Sequence, residues 1–224
     1  MTFKTEVFEP STYAEEAASV IANHVRESGS LILTGGTTAE KIYPLLARGI
    51  SKLAGGLRIG FSDERCVPPD HEASNYRMAK RLFLDVAKPA EVLRMKGEEQ
   101  PEEGARQYDE AIRPLVDAGI DLLLLGMGAD NHIGAMFPGS PALAETERLS
   151  LAVDRPDGMK GITLTPPAML SASRILLLVT GEGKAEAVQH ALQGSAPPGA
   201  CPVRLLADHE DVTFLLDTHA ASGL

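Results

Sequence analysis

The run Leu122-Leu123-Leu124-Leu125, entered from Asp121 and left at once through Gly126-Met127-Gly128, most narrows the folds open to this chain. Four consecutive leucines show neither the alternation of a half-exposed strand nor the spacing of a helix with one polar face. A short apolar run between turn residues suits a strand covered on both faces, the usual condition of a parallel sheet. Similar runs predict strands at Ser30–Leu33, Leu57–Phe61, Ile120–Leu125, Ile162–Thr165, Arg174–Thr180 and Val212–Leu216. Helix-like stretches at Thr12–Arg26, Thr38–Ala47, Ser74–Phe83, Pro101–Val116 and Lys184–Leu192 fall between them. Ser74 and Asp121 occupy cap or turn positions, and Pro101 suits a first helical turn. The alternation implies an α/β, Rossmann-like layered fold with a mainly parallel central sheet flanked by helices. No long linker, low-complexity tract or internal repeat interrupts the 224 residues, so one domain over residues 1–224 is expected.

In such sheets ligands bind in loops beyond the carboxyl ends of the strands. A formal net charge of -10 argues against nonspecific affinity for nucleic acid or anionic membranes. An anionic ligand would need a local cluster of basic groups and backbone N–H donors. The residues at the strand ends are therefore where the chemistry is to be sought.

Thr34-Gly35-Gly36-Thr37-Thr38 follows the first strong strand and leads into a helix. Glycine lets backbone approach a ligand, and a helix N-terminus offers unpaired N–H groups to phosphate. The same residues would also make a tight turn with a threonine cap. The stretch lacks the lysine of a Walker loop and the glycine spacing of a dinucleotide fingerprint. Ser62-Asp63-Glu64-Arg65 follows the next strand, with His71 and Ser74-Asn75-Tyr76 beyond it. Asp63 can orient groups or move protons, and Arg65 can grip an anion bidentately; a salt-bridged surface turn is the alternative.

The leucine strand empties into Gly126-Met127-Gly128-Ala129-Asp130-Asn131-His132-Ile133, then Phe137-Pro138-Gly139. Imidazole is the side chain best suited to exchange protons near neutral pH, and Asp130 is close enough to orient it. Gly181-Glu182-Gly183-Lys184 repeats the pattern of strand, glycine turn and helix start. A lysine opposed to the helix dipole makes sense if Lys184 faces a bound anion, and otherwise it is simply solvated. Asp154, Arg155 and Lys160 precede another strand and are weaker candidates. Tyr108, Glu110 and Arg113 read as a solvated helical face.

The six histidines are scattered without a zinc-type cluster, so neither a metal nor another cofactor is expected. Cys66 and Cys201 have no CxxC spacing, and a reduced, cytoplasmic setting is the simpler reading, with a disulfide left open. Met1 to Glu6 lacks the layout of a signal peptide, and no apolar run approaches the ~18 residues of a membrane span.

Taken in order, these loops resemble the 6-phosphogluconolactonase family over almost the whole chain. The resemblance implies a fold related to glucosamine-6-phosphate deaminase and ribose-5-phosphate isomerase. It implies hydrolysis of 6-phospho-D-glucono-1,5-lactone, the second step of the oxidative pentose phosphate pathway, without an essential metal. By position, His132 is similar to the family's catalytic base, with Asp130 beside it and Asp63 in the second loop. Gly35, Gly36, Thr37, Arg65 and Lys184 match groups around the substrate and its phosphate. Two positions depart from the pattern: Asn131 stands where the family usually has glycine, and Gly161 where it usually has a phosphate-binding arginine. Asn is among the residues that best tolerate positive φ. For the missing arginine, Lys160 or Arg155 is the expected substitute. The expected partner is a small sugar-phosphate lactone, with the chain a monomer or homodimer and no nucleic-acid or membrane partner.

Two rival readings use the same fold. The related deaminases typically carry Asp-Glu-Tyr where this chain has Asp63-Glu64-Arg65, and a glutamate where Phe137 stands. A sugar-phosphate sensor without catalysis would usually add a helix-turn-helix region, and no basic extension is present.

Overall fold

The structure, a computed structural model, describes residues 3–52 and 54–224. Met1 and Thr2, part of the N-terminal stretch read above, lie outside the described residues. In chain order, β1 (Lys4–Phe8), α1 (Tyr13–His24), β2 (Ser30–Leu33), α2 (Thr37–Gly49), β3 (Arg58–Phe61) and β4 (Asp63–Arg65) come first. Then follow α3 (Asn75–Ala79), a π-helical turn (Lys80–Leu84), α4 (Asp85–Ala87), β5 (Glu91–Val92), α5 (Pro101–Ala118) and β6 (Leu122–Gly126). The chain ends with β7 (Ser150–Asp154), β8 (Lys160–Leu164), α6 (Pro166–Leu170), β9 (Ile175–Val179), α7 (Ala185–Gln193) and β10 (Val212–Asp217).

Seven strands form a parallel sheet in the order β1-β10-β9-β6-β2-β3-β5. The leucine strand β6 lies at its centre between β2 and β9, with Leu31 opposite Leu122 and Leu123 opposite Ile175. All four leucines are buried, as a strand covered on both faces requires. The sequence-based expectation differs for Ile162–Thr165. That segment is β8 and lies in a separate three-stranded antiparallel sheet, β4-β8-β7, in which Asp63 pairs with Thr163 and Arg65 with Gly161. The Asp63-Glu64-Arg65 triplet is thus a short strand with Asp63 and Glu64 buried, and the surface-turn alternative is set aside. No helix among the described residues is long and apolar enough to cross a membrane.

Two buried tyrosines hold the strand ends that face the site. Tyr43 of α2 donates to the Thr34 carbonyl (2.6 Å) and accepts from the Thr34 N–H (2.9 Å). Tyr108 of α5 does the same at Phe61, donating to its carbonyl (2.9 Å) and accepting from its N–H (2.7 Å). Each hydroxyl satisfies a backbone pair at the point where parallel pairing gives way to a loop, and buried backbone groups are costly unpaired. Burial pushes both phenols above the usual tyrosine range. Tyr108 is therefore core, and its assignment to a solvated helical face is corrected. Its neighbours Glu110 and Arg113 are exposed as expected.

Tyr108→Phe keeps the ring and leaves the Phe61 N–H and carbonyl without their partner. A loss of about 1–3 kcal/mol in the free energy of unfolding is expected, measured by urea denaturation.

Candidate active site

A cavity of about 220 Å³ opens at the carboxyl ends of β2, β6 and β9, beside β4. It is lined by Gly35, Gly36, Thr37, Asp63, Arg65 and His132, and by Lys184, Arg155 and the glycines of the β6 loop. The loops singled out in the sequence thus meet in one place.

At the first loop, Gly36 has φ of 97°, a left-handed conformation open to glycine, and α2 starts at the next residue. The first-turn N–H groups of α2 have no partner within the helix. Gly35 is needed for a different reason: a Cβ there would fall 2.1 Å from Asn75 Oδ1. Asn75 donates to the Asp63 carbonyl (2.9 Å) and to Asp63 Oδ2 (3.2 Å), and accepts from Arg65 Nη1 (3.0 Å). One amide thereby seats Asp63 and Arg65 of β4 against the glycine turn. Arg65 Nη1 also reaches the Ala73 carbonyl at 2.8 Å, while its Nε is buried without a partner.

Glu64 faces away from this task. Its two oxygens accept from the N–H groups of Arg65, Asn75 and Tyr76 and from the Ser74 hydroxyl, at 2.7–2.9 Å. Burial raises its carboxyl above the usual range, and these four bonds oppose the rise. Glu64 holds the start of α3 and hence Asn75.

The turn after β6 is built around a hydrogen bond of 2.6 Å between Asp130 Oδ1 and His132 Nδ1. An ionised carboxylate only accepts, so Nδ1 donates and the neutral ring carries its lone pair on Nε2. Gly128 makes the pair possible, because a Cβ there would sit 2.1 Å from His132 Nδ1 and 2.3 Å from Asp130 Oδ1. The turn closes through Gly128 N–H to the His132 carbonyl (2.9 Å) and Asn131 N–H to the Gly128 carbonyl (3.1 Å). Asn131 has φ of 64°, so this position does need the left-handed region, and Asn supplies it in place of glycine. Phe137 packs its ring 4.3 Å from the imidazole. Burial alone would raise the Asp130 carboxyl, but the charge and hydrogen bond of His132 bring it below the usual range.

Lys184 follows β9 at the end of a glycine turn. Asp217, buried at the end of β10, accepts the Gly181 N–H at 3.0 Å and fixes that turn. Thr38 and Thr180 join the first and last loops by a hydroxyl–hydroxyl bond of 2.8 Å. Desolvation lowers the Lys184 ammonium below the usual lysine range, opposed by the charge of Asp130.

Lys160 does not enter the cavity. It pairs with Asp154 at 2.6 Å across the β7–β8 hairpin, and neighbouring residues on a strand point to opposite faces. The basic group on the cavity side is Arg155. Its stem crosses Gly161, where a Cβ would meet Arg155 Cδ at 3.1 Å. Its guanidinium stands 5.5 Å over the Phe137 ring and pairs with Asp157 at 3.0 Å. The glycine that removes one side chain from this position makes room for another arriving from the β7–β8 turn. Asn75 stood out only as part of the Ser74-Asn75-Tyr76 stretch, and Asp217 and Tyr43 carried no sequence signal of their own, because each acts through backbone groups outside its own element. Among the described residues no group of three or more His, Cys, Asp or Glu side chains could hold a metal ion.

The family model for glucosamine-6-phosphate isomerases/6-phosphogluconolactonase matches residues 10–215, and the chain belongs to that family. Within it, the chain is similar to 6-phosphogluconolactonases. That of Synechocystis sp. is 33% identical over 208 residues, covering 89% of this chain and 86% of the relative. That of Mycobacterium tuberculosis is 31% identical over 215 residues, with the same coverage, 89% and 86%. The solved structure of the 6-phosphogluconolactonase of Trypanosoma brucei superposes with a TM-score of 0.86 at 26% identity, over 99% of this chain and 98% of that one. A monomeric glucosamine-6-phosphate deaminase superposes as well, with a TM-score of 0.86 at 25% identity over 99% and 100% of the two chains. The fold accommodates both activities, so the site residues must distinguish them.

If Lys184 meets an anion, the lowered ammonium makes binding sensitive to alkali. A base whose folded pKa is depressed is neutralised before an ordinary lysine would be. Affinity for 6-phosphogluconate, measured by calorimetry, is expected to fall as pH rises towards the ordinary lysine range. Lys184→Arg, which stays charged there, is expected to remove that fall.

Proposed function

We propose that this chain hydrolyses 6-phospho-D-glucono-1,5-lactone to 6-phospho-D-gluconate, with His132 as general base. The observation that carries the reading is the Asp130–His132 pair, which leaves Nε2 as the basic nitrogen beside a cavity walled by Lys184, Arg65, Arg155 and the α2 N-terminus. Those cations and N–H groups suit a doubly charged phosphate ester. The family relationship supports the same chemistry.

The steps balance without another reactant. Nε2 of His132 takes a proton from water as its oxygen attacks the lactone carbonyl. Asp130 steadies the imidazolium that results. The carbonyl oxygen gathers negative charge, which Arg65 or N–H groups of the Gly126–Gly134 loop can stabilise. Collapse of this intermediate breaks the bond to the ring oxygen, which receives the proton back from Nε2. The product is an open-chain acid that loses its proton to solvent. Asp63, buried and bonded to Asn75, braces the wall through which Arg65 approaches.

Phe137 argues against ring-opening deamination. Its ring packs on His132 and can accept no hydrogen bond from it, so nothing at that position supports a histidine acting on a sugar hydroxyl.

Freshly generated phospholactone, followed by acid release in a pH-stat, tests the reading. The wild-type chain is expected to accelerate release, and His132→Ala to lower kcat roughly a hundredfold or more while still binding 6-phosphogluconate. Equal rates for the two would remove His132 from its role, and ammonia release from glucosamine-6-phosphate would favour the deaminase. A second comparison separates the two basic groups of the β7–β8 hairpin. Arg155→Ala is expected to raise KM roughly tenfold or more, the loss of a charge-assisted hydrogen bond, and Lys160→Ala to leave it unchanged.

A further inference from the structure

Asn131 sits between the two residues that bracket the reaction. It is buried and left-handed, and it is the residue between Asp130 and His132. Its conformation is needed for the turn, but its side chain does something the turn does not require. Asn131 Nδ2 donates to the Ala187 carbonyl at 2.6 Å, in the first turn of α7 and three residues beyond Lys184. The same nitrogen approaches Met127 Sδ at 3.6 Å. The Asn131 carbonyl accepts the Val203 N–H at 3.1 Å, from the 3₁₀ segment Pro202–Leu206. Glycine would satisfy the φ and could make the backbone bond. The Asn131 amide also ties this loop to the helix that Lys184 leads, which glycine cannot do.

We propose that Asn131 is a positioning residue that locks the His132 loop to the start of α7, and so sets the placement of the general base relative to the phosphate-facing Lys184. This rests on the lactonase reading of the site. The bond joins the His132 loop directly to the first turn of α7, and its acceptor is a helix carbonyl with a second lone pair available. Loss of the bond frees each loop to settle separately, and small misplacements between a base and a bound substrate are costly in rate.

The test is a double-mutant cycle between Asn131→Gly and Lys184→Ala. Glycine keeps the left-handed conformation and removes only the side-chain bonds. Asn131→Asp serves as the second variant: it is the same size and tolerates the same φ, but turns a carboxylate oxygen towards the Ala187 carbonyl. Both are expected to retain the fold by circular dichroism. Both are expected to lower kcat/KM for fresh phospholactone between roughly ten- and a hundredfold, and to weaken 6-phosphogluconate binding. In the Lys184→Ala background the Asn131→Gly effect is expected to shrink to a small factor.

Three results would overturn the proposal: unchanged kinetic constants per folded molecule, the same loss in both backgrounds, or unfolding of both variants. The last would make Asn131 a purely structural residue. A wild-type chain with no lactonase rate would sink the functional reading instead. The product-binding cycle, which needs no turnover, would then decide the placement claim separately.

Discussion

The hydrogen bond from His132 Nδ1 to Asp130 Oδ1 is the interaction on which the rest of the site depends. A free imidazole can carry its proton on either nitrogen. The carboxylate removes that freedom, turns Nε2 into the basic atom and stabilises the cation formed when that atom takes a proton. A two-residue separation between acid and imidazole closes only in a tight turn. The turn in its place demands a left-handed residue at Asn131 and no side chain at Gly128. The glycines around the histidine are thus consequences of the pair rather than general flexibility.

The sheet supplies rigidity to that turn. Parallel strands end together at one edge, and the groups that would be left unpaired there are met by side chains from the covering helices and from strand β10. Tyr43 holds the end of β2, Tyr108 the end of β3 and Asp217 the Gly181 turn. The antiparallel β4-β8-β7 unit then walls one side and brings Asp63, Arg65 and Arg155 to the cavity. In a protein of formal net charge -10, the two arginines, one lysine and helix N-terminus that line the cavity are a local concentration of positive groups.

Much of this was legible in the sequence where the signal was local. The leucine run declared a strand buried on both faces, and glycines after each strand marked the loops that converge. Asp130, His132, Lys184, Asp63 and Arg65 could be named because each sits within a few residues of such a strand end. The edge strands β1 and β5 were not read, since β1 is largely exposed and β5 only two residues long. Nor was the second sheet, whose pairing of β4 with β8 joins segments a hundred residues apart with no periodic pattern to announce it. The roles of Asn75, Tyr108 and Asp217 were hidden likewise, since their partners lie on other elements 12, 47 and 36 residues away. Lys160 and Arg155 were not separable by composition. Strand alternation and the space above Gly161 decide between them, and both are properties of the folded hairpin.

The most direct measurement is the tautomeric state of His132 by ¹⁵N NMR, with histidine-labelled protein and assignment through the His132→Ala variant. A neutral ring protonated at Nδ1, with Nε2 giving the shift of an unprotonated nitrogen, is the expected result. A neutral ring carrying its proton on Nε2 would contradict the account, because Nε2 would then have no lone pair with which to accept a proton from water.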